Sequence, residues 1–314
     1  METTVTNILV WCAFLVLQSL LGYLIVRKSP NQYLVWLFPL ISILIAHSLF
    51  LSAPPLLRMI TLIIPLLHAM KIVVANAHTS KIRHFDKWLV YYFLTVNMNP
   101  SIFHKDVEKR VDTKILISAV VHLLVGVSIF IFLRYFTDHS IITRSKGLQW
   151  SYSLLALFSL SLILHFGLLS LNTFFLRRIG IADYLIFKQP YKSKSLTVFW
   201  GRRWNLAFSE MTATAVFKPL ARKFGVKWAS FISFMVSGLL HEVAISLSVL
   251  KGFGLPMLYF VIHGLLMELE RHLFTKRQPG TIWVIASLII PLPLLFHTPF
   301  LTEVVWELIY LGLP

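Results

Sequence analysis

The residues whose types and spacing point most directly to chemistry lie in two short segments, FWGRRWN at 199–205 and SGLLHE at 237–242. The second places His241 in the middle of an apolar run of membrane length, where an ionisable side chain is costly and usually has a task or a partner. An imidazole exchanges protons near neutrality, so His241 is the candidate general base. Asn205 carries an amide that can donate to a developing negative charge, orient the histidine, or cap a helix starting near Leu206. Arg202 and Arg203 stand beside it, with Lys192 and Lys194 about ten residues upstream. Guanidinium groups suit phosphates, although anchoring of a cytoplasmic loop and contact with anionic headgroups account for the same cations without a substrate.

Glu242 follows His241 directly, so on a helix it points about 100° away and is not automatically its partner. A buried carboxylate needs a donor, and Arg202, Arg203 or an indole N–H qualifies. His263 lies in the next apolar run at a comparable depth, with Glu270 near the inner end of that run. It is either a supporting residue of the site or one half of a helix-to-helix hydrogen bond. Phe208, Met211, Phe231, Phe234 and Met235 recur at helical spacing and could wall a cavity or simply pack. The isolated His47, His68, His122 and His165 read as structural histidines bonded to neighbouring carbonyls. No metal is expected, because His241-Glu242 is not an HExxH pair and no second histidine stands at helical spacing beside it. Cys12, the single cysteine, allows no intramolecular disulfide, and its place in the first apolar run disfavours a thiolate nucleophile.

The elements that must position these groups belong to a membrane. With 314 residues, 57% hydrophobic, 13% charged and a mean hydropathy of +0.76, the chain reads as an all-α, polytopic integral membrane protein forming a single domain over 1–314. Lipid offers the backbone no hydrogen bonds, so each crossing needs about 20 apolar residues in a helix. Spans are predicted at roughly 5–26, 33–52, 56–76, 115–136, 150–172, 228–250, 254–270 and 281–301, about eight in all. The N-terminus lacks the basic region and cleavage site of a secretory signal, and its apolar stretch is kept as the first span.

The charge of +16 is distributed by side. If Arg27 and Lys28 face the cytoplasm, that side receives the large majority of the 29 Lys and Arg. The other side holds Arg58, Arg134, Arg144, Lys146 and Lys251, while Lys71 sits within a span. The asymmetry favours both termini outside, and it explains the basicity without nucleic acid as a partner. Two cytoplasmic stretches, 78–114 and 177–227, are too long and too mixed to be simple turns. The first carries the partly amphipathic run 85–96 and then Asn97, Met98, Asn99 and Pro100, which break a helix. The second mixes cations with Trp200, Trp204 and Trp228, the composition of a segment at headgroup depth that dips toward the membrane.

FWGRRWN followed about 36 residues later by the histidine of SGLLHE resembles the wax synthase branch of the membrane-bound O-acyltransferase (MBOAT) family. Met98-Asn99-Pro100 upstream and the run 259–264, ending near Glu270, add to the likeness, which covers a core of roughly 95–275; the N-terminal third matches only in hydropathy. The resemblance implies an MBOAT-like fold with interfacial or re-entrant helices. It implies His241 as catalytic histidine and Asn205 as its partner, acyl-CoA as co-substrate with no bound cofactor, and a lipophilic alcohol as acceptor, a long-chain alcohol first, with a sterol, terpenoid or other lipid hydroxyl and an acyl donor as short as acetyl as the alternatives. Trp200, Trp204, Arg202, Arg203, Glu242 and His263 are then the candidate substrate-binding residues, with membrane lipids as surroundings. No activated Ser or Cys with a third orienting group accompanies His241, Ser237 being the one near candidate, so direct transfer through a ternary complex is expected. A lipid transporter or membrane scaffold is the non-enzymatic alternative, and paired discontinuous helices in internal repeats, its usual mark, are not found.

Overall fold

The computed structural model describes residues 2–28, 30–104, 109, 111–136, 145–274 and 279–310, and these contain helices and connections but no strand. The apolar runs become α1 (Glu2–Lys28), α2 (Gln32–Phe50) and α3 (Pro55–Ala77). They are followed by the short α4 (Phe85–Leu89) with its π-helical continuation Val90–Leu94. Further on come α5 (Thr113–Phe136), α6 (Lys146–Arg178), α7 (Leu206–Val249), α8 (Leu255–Leu273), α9 (Thr281–Leu295) and α10 (Thr298–Tyr310). Six of them are long and apolar enough to cross a membrane, or seven if the pair α9 and α10, bent by 76°, counts as one crossing. The sequence predicts about eight. The shortfall falls at 254–270, where α8 forms as expected but ends in Glu268, Glu270 and Arg271, a charged last turn that makes it a poor membrane span by composition.

α1 packs on α3, tied by the Trp11 indole donating to the Thr61 carbonyl at 3.0 Å. Lys71, buried in α3, sends its amine to the carbonyls of Tyr91 at 2.9 Å, Tyr92 at 3.0 Å and Thr95. Those oxygens end the α4 segment, where no further turn supplies donors, so the lysine caps it. The break then falls at Asn97 to Pro100, as the sequence predicts. Asn97 donates to the Asp183 carboxylate at 2.5 Å and to the Tyr184 carbonyl at 2.9 Å, pinning the break to the second cytoplasmic stretch.

The 44-residue run of α7 is not one rod. Gly225 has φ 80° and ψ 167°, outside helical geometry and in a region where a side chain would be strained. Phe208 and His241 lie 17 and 16 residues on either side of it. A straight helix would separate them by about 50 Å at 1.5 Å per residue, yet their rings are 5.9 Å apart. The run is therefore a hairpin, with 206–224 as one arm and 226–249 as the other. The predicted span 228–250 is its second arm. The first arm, left by sequence in a cytoplasmic stretch, runs back alongside it.

α8 reverses direction after Leu250, Gly252 and Gly254, all at positive φ, and lies against the second arm. At Gly238 an added Cβ would stand 3.0 Å from the Cα of Met257. A side chain there would push α8 away from the turn that carries His241.

Candidate active site

His241 ends the regular α-helical part of its arm, and a π-helical turn, Glu242–Ser246, follows at once. A second π turn, Phe199–Arg203, ends just before Trp204 and Asn205. Such turns widen the helix locally and recur at functional sites. Both motifs of the sequence are thus built at places where the backbone departs from the α-helix.

The imidazole of His241 is held by its own helix, with Nδ1 2.7 Å from the Ser237 carbonyl. A carbonyl only accepts, so Nδ1 carries the hydrogen and donates it. The lone pair is then on Nε2, which has no partner among the described residues. Phe260 of α8 packs on the ring at 4.4 Å and Phe208 at 5.9 Å. The Ser237 hydroxyl donates to the Ser233 carbonyl at 2.8 Å, so it is engaged away from His241 and no serine–histidine pair is formed.

Asn205 sits at φ 40° and ψ 66°, a left-handed conformation that asparagine tolerates better than most residues. Its Oδ1 accepts from the Phe208 N–H at 3.2 Å and caps the first arm of the hairpin. The capping role weighed in the sequence is present, and the Nδ2 amino group, which has no partner among the described residues, is left to donate elsewhere. Phe208, whose amide Asn205 caps, is the residue whose ring meets His241. The two motif residues therefore share one intermediary.

The motif segment descends along α8. Glu270 accepts from the Leu196 amide at 2.7 Å and the Trp283 indole at 3.0 Å. One layer on, the Trp200 indole donates to Nδ1 of His263 at 3.3 Å, and its ring touches Phe260 at 5.9 Å. The Ser209 hydroxyl bonds the Trp200 carbonyl at 2.5 Å, closing the segment onto the hairpin. This re-entrant course takes the chain from the charged end of α8 to the level of Phe260 and His241, then back toward Gly225. Trp204 does not reach that line; it is wedged among Phe187 at 4.9 Å, Phe199 at 5.5 Å and His165 at 5.7 Å.

Glu242 is placed differently from the sequence expectation. Its donors are neither arginine nor indole: Oε1 accepts from the amides of Gly254 at 3.0 Å and Met257 at 2.9 Å, capping the start of α8. A carboxylate at a helix N-terminus meets both unpaired N–H groups and the positive end of the helix dipole, which explains why it needs no cation. Oε2 is buried without a partner.

Arg202 is exposed, whereas Arg203 donates to the carbonyls of Lys188 at 3.1 Å and Gln189 at 3.2 Å. Backbone bonds from Lys188 to Arg203 at 2.8 Å and from Leu206 to Ile186 at 2.9 Å bring 186–188 beside the motif. The result is a concavity of about 300 Å³ lined by Lys188, Val198, Arg202 and Arg203. Lys188, not Lys192 or Lys194, is the lysine that joins the arginines there, and no spacing in the sequence marks it, because the pairing is tertiary. Of the apolar wall candidates, Phe208 touches His241 and Phe234 lies 6.1 Å from Trp200. Met211 is fully buried and Met235 is exposed. His68 and His122 bond the carbonyl one turn back at 2.7 and 2.6 Å, and His165 meets the Ser161 hydroxyl at 3.0 Å. Nδ1 of His47 has no partner.

Residues 184–262, which contain both motifs and the helices that join them, match the membrane bound O-acyl transferase family. A long-chain-alcohol O-fatty-acyltransferase of Simmondsia chinensis is 40% identical over 73 residues, 21% of each chain. A probable long-chain-alcohol O-fatty-acyltransferase of Arabidopsis thaliana is 36% identical over 104 residues, 31% of this chain and 30% of that protein. An acyl-CoA–sterol O-acyltransferase of Arabidopsis thaliana is 34% identical over 92 residues, 27% of each. The chain thus spans between about a fifth and a third of the length of the curated relatives it matches.

Proposed function

We propose that this protein is a membrane O-acyltransferase that moves a fatty acyl group from acyl-CoA to the hydroxyl of a lipophilic alcohol, releasing an ester and free CoA. The observation that carries this is His241: an imidazole with Nδ1–H engaged and an unengaged Nε2 lone pair, set among Phe208 and Phe260 where an apolar acceptor would lie. Nε2 takes the hydroxyl proton as the oxygen attacks the thioester carbonyl. The carbon–sulfur bond then breaks, and the proton passes to the departing thiolate. The engagement of Ser237 elsewhere supports direct transfer without an acyl-enzyme. Asn205 Nδ2 supplies a donor beside Phe208, for the carbonyl oxygen or for His241 itself.

The cations Lys188, Arg202 and Arg203 hold the phosphates of CoA at the mouth of the descending segment, with their side of the protein facing the cytoplasm. The relatives named for long-chain alcohols make a wax ester the first expected product. The relative named for sterols keeps a sterol hydroxyl as the second. The test is purified protein in detergent or vesicles, supplied with labelled acyl-CoA and a panel of long-chain, terpenoid and sterol alcohols. Ester from at least one acceptor is expected. No ester from any would move the reading to a lipid transporter or scaffold.

A further inference from the structure

His263 is fully buried, and its hydrogen bonding is unbalanced. The Trp200 indole only donates, so Nδ1 of His263 is the acceptor and carries the lone pair. The hydrogen is therefore on Nε2, and that atom is buried without a partner. A donor left unpaired in an apolar setting is expensive, and such groups call for a specific explanation. His241 is held the opposite way, hydrogen on Nδ1 and lone pair on Nε2. The two rings lie on facing helices around Phe260, which touches the His241 ring directly at 4.4 Å and meets Trp200, the partner of His263, at 5.9 Å. Phe260 and His263 are three residues apart on α8, on one face. His263 thus stands one turn nearer the charged end of α8, on the course the motif segment follows toward His241.

We infer that His263 Nε2–H is a substrate hydrogen-bond donor, held in that tautomer by Trp200, and that its ligand is the carbonyl oxygen of the acyl thioester. This rests on the acyltransfer reading for the identity of the ligand. A base and a donor in opposite tautomers divide the work: Nε2 of His241 receives the acceptor's proton, while Nε2–H of His263 meets the carbonyl oxygen as negative charge develops there. Trp200 is a positioning residue, since its indole decides which nitrogen of His263 is protonated. The bond from Trp200 ties the motif segment to α8 through Nδ1, but a purely structural tie leaves the Nε2–H without an acceptor.

The experiment compares palmitoyl-CoA with the hexadecyl thioether of CoA, which has the same chain and nucleotide but no carbonyl, by thermal stabilisation and by binding. Wild type should bind the thioester severalfold more tightly than the thioether. His263→Phe should lose that preference, and His263→Gln, whose amide places an N–H near the position of Nε2, should restore most of it. In turnover, His263→Phe should lower kcat about 100-fold with the KM for the alcohol unchanged, the scale seen when one such donor is removed. Trp200→Phe should lower it less, since the tautomer is then free to change. Equal binding of the two CoA compounds by wild type, or an undiminished preference in His263→Phe, would overturn the inference. If wild type prefers the thioester yet forms no ester with any alcohol, the acyltransferase reading fails while the donor role of His263 stands. If His263→Phe does not fold, His263→Gln and Trp200→Phe carry the same comparison, and normal carbonyl preference and turnover in Trp200→Phe would count against it.

Discussion

Two of the polar clusters buried among the described residues are finished to different degrees. Around Lys71 every donor is used: the amine reaches carbonyls of Tyr91, Tyr92 and Thr95. The Tyr91 hydroxyl donates to the Met98 carbonyl at 2.8 Å, and the Tyr92 hydroxyl to Gln18 Oε1 at 2.8 Å. Gln18 in turn donates to the Ser42 hydroxyl at 2.7 Å. Around His241 and His263 each ring has one nitrogen satisfied and one open. Burial is expensive for both clusters. The closed one recovers that cost within the fold, whereas the open one leaves groups for a ligand to complete. Local bonding does not separate them, since His68 in α3 makes the same bond to the preceding turn that His241 makes.

The largest expected effect is at the closed cluster. Lys71→Met keeps the length of the side chain but leaves the buried carbonyls of Tyr92 and Thr95 without their side-chain donor, at about 1–3 kcal/mol each, while the Tyr91 carbonyl keeps the Thr95 hydroxyl at 2.8 Å. Against a typical total stability of about 5–15 kcal/mol, the folded yield should collapse, measured as monodisperse protein after extraction. A well-folded Lys71→Met with reduced turnover would place Lys71 among the functional groups and erase the contrast.

His241→Ala should do the reverse. Its one hydrogen bond is to its own helix, so folding should be close to wild type while turnover falls about 100-fold or more. Retained activity in a well-folded variant would remove His241 as the base. Loss of the fold would make it another Lys71.

A smaller effect is expected at the basic concavity. Arg202 is exposed and has no partner among the described residues, so Arg202→Gln tests charge without disturbing the loop that Arg203 braces. The KM for acyl-CoA should rise several-fold with that for the alcohol unchanged. Added salt should weaken donor use less in the variant than in wild type. Equal changes in both KM values would mean that the arginine only anchors the segment.

Least affected should be Glu242→Gln. The glutamine keeps an acceptor for the amides of Gly254 and Met257 and loses the favourable charge at the start of α8, about 0.3–1 kcal/mol. A slight fall in thermal midpoint with neither KM altered is expected. A raised KM for either substrate would shift Glu242 from capping to binding.

Sequence by itself determined the membrane character and the elements. Apolar runs of about 20 residues have no other stable state in lipid than helices, and α1, α2, α3, α5 and α6 formed where those runs lie. Asn97 to Pro100 break the chain through local conformational preference alone, and the two motifs mark the site because polar groups in an apolar run are costly wherever the run is folded. Tertiary structure decided what hydropathy does not encode. The hairpin at Gly225 turns a basic, partly polar stretch into an arm that returns to His241, through one backbone conformation that glycine permits. Glu242 found amides rather than arginines because α8 happens to start beside it, and Lys188 joined Arg202 and Arg203 through backbone pairing between distant segments. Which nitrogen of His241 and of His263 carries the hydrogen is likewise fixed by a carbonyl in one case and an indole in the other. A residue's type is local, but its hydrogen-bond partner is chosen by whatever the fold brings within about 3 Å.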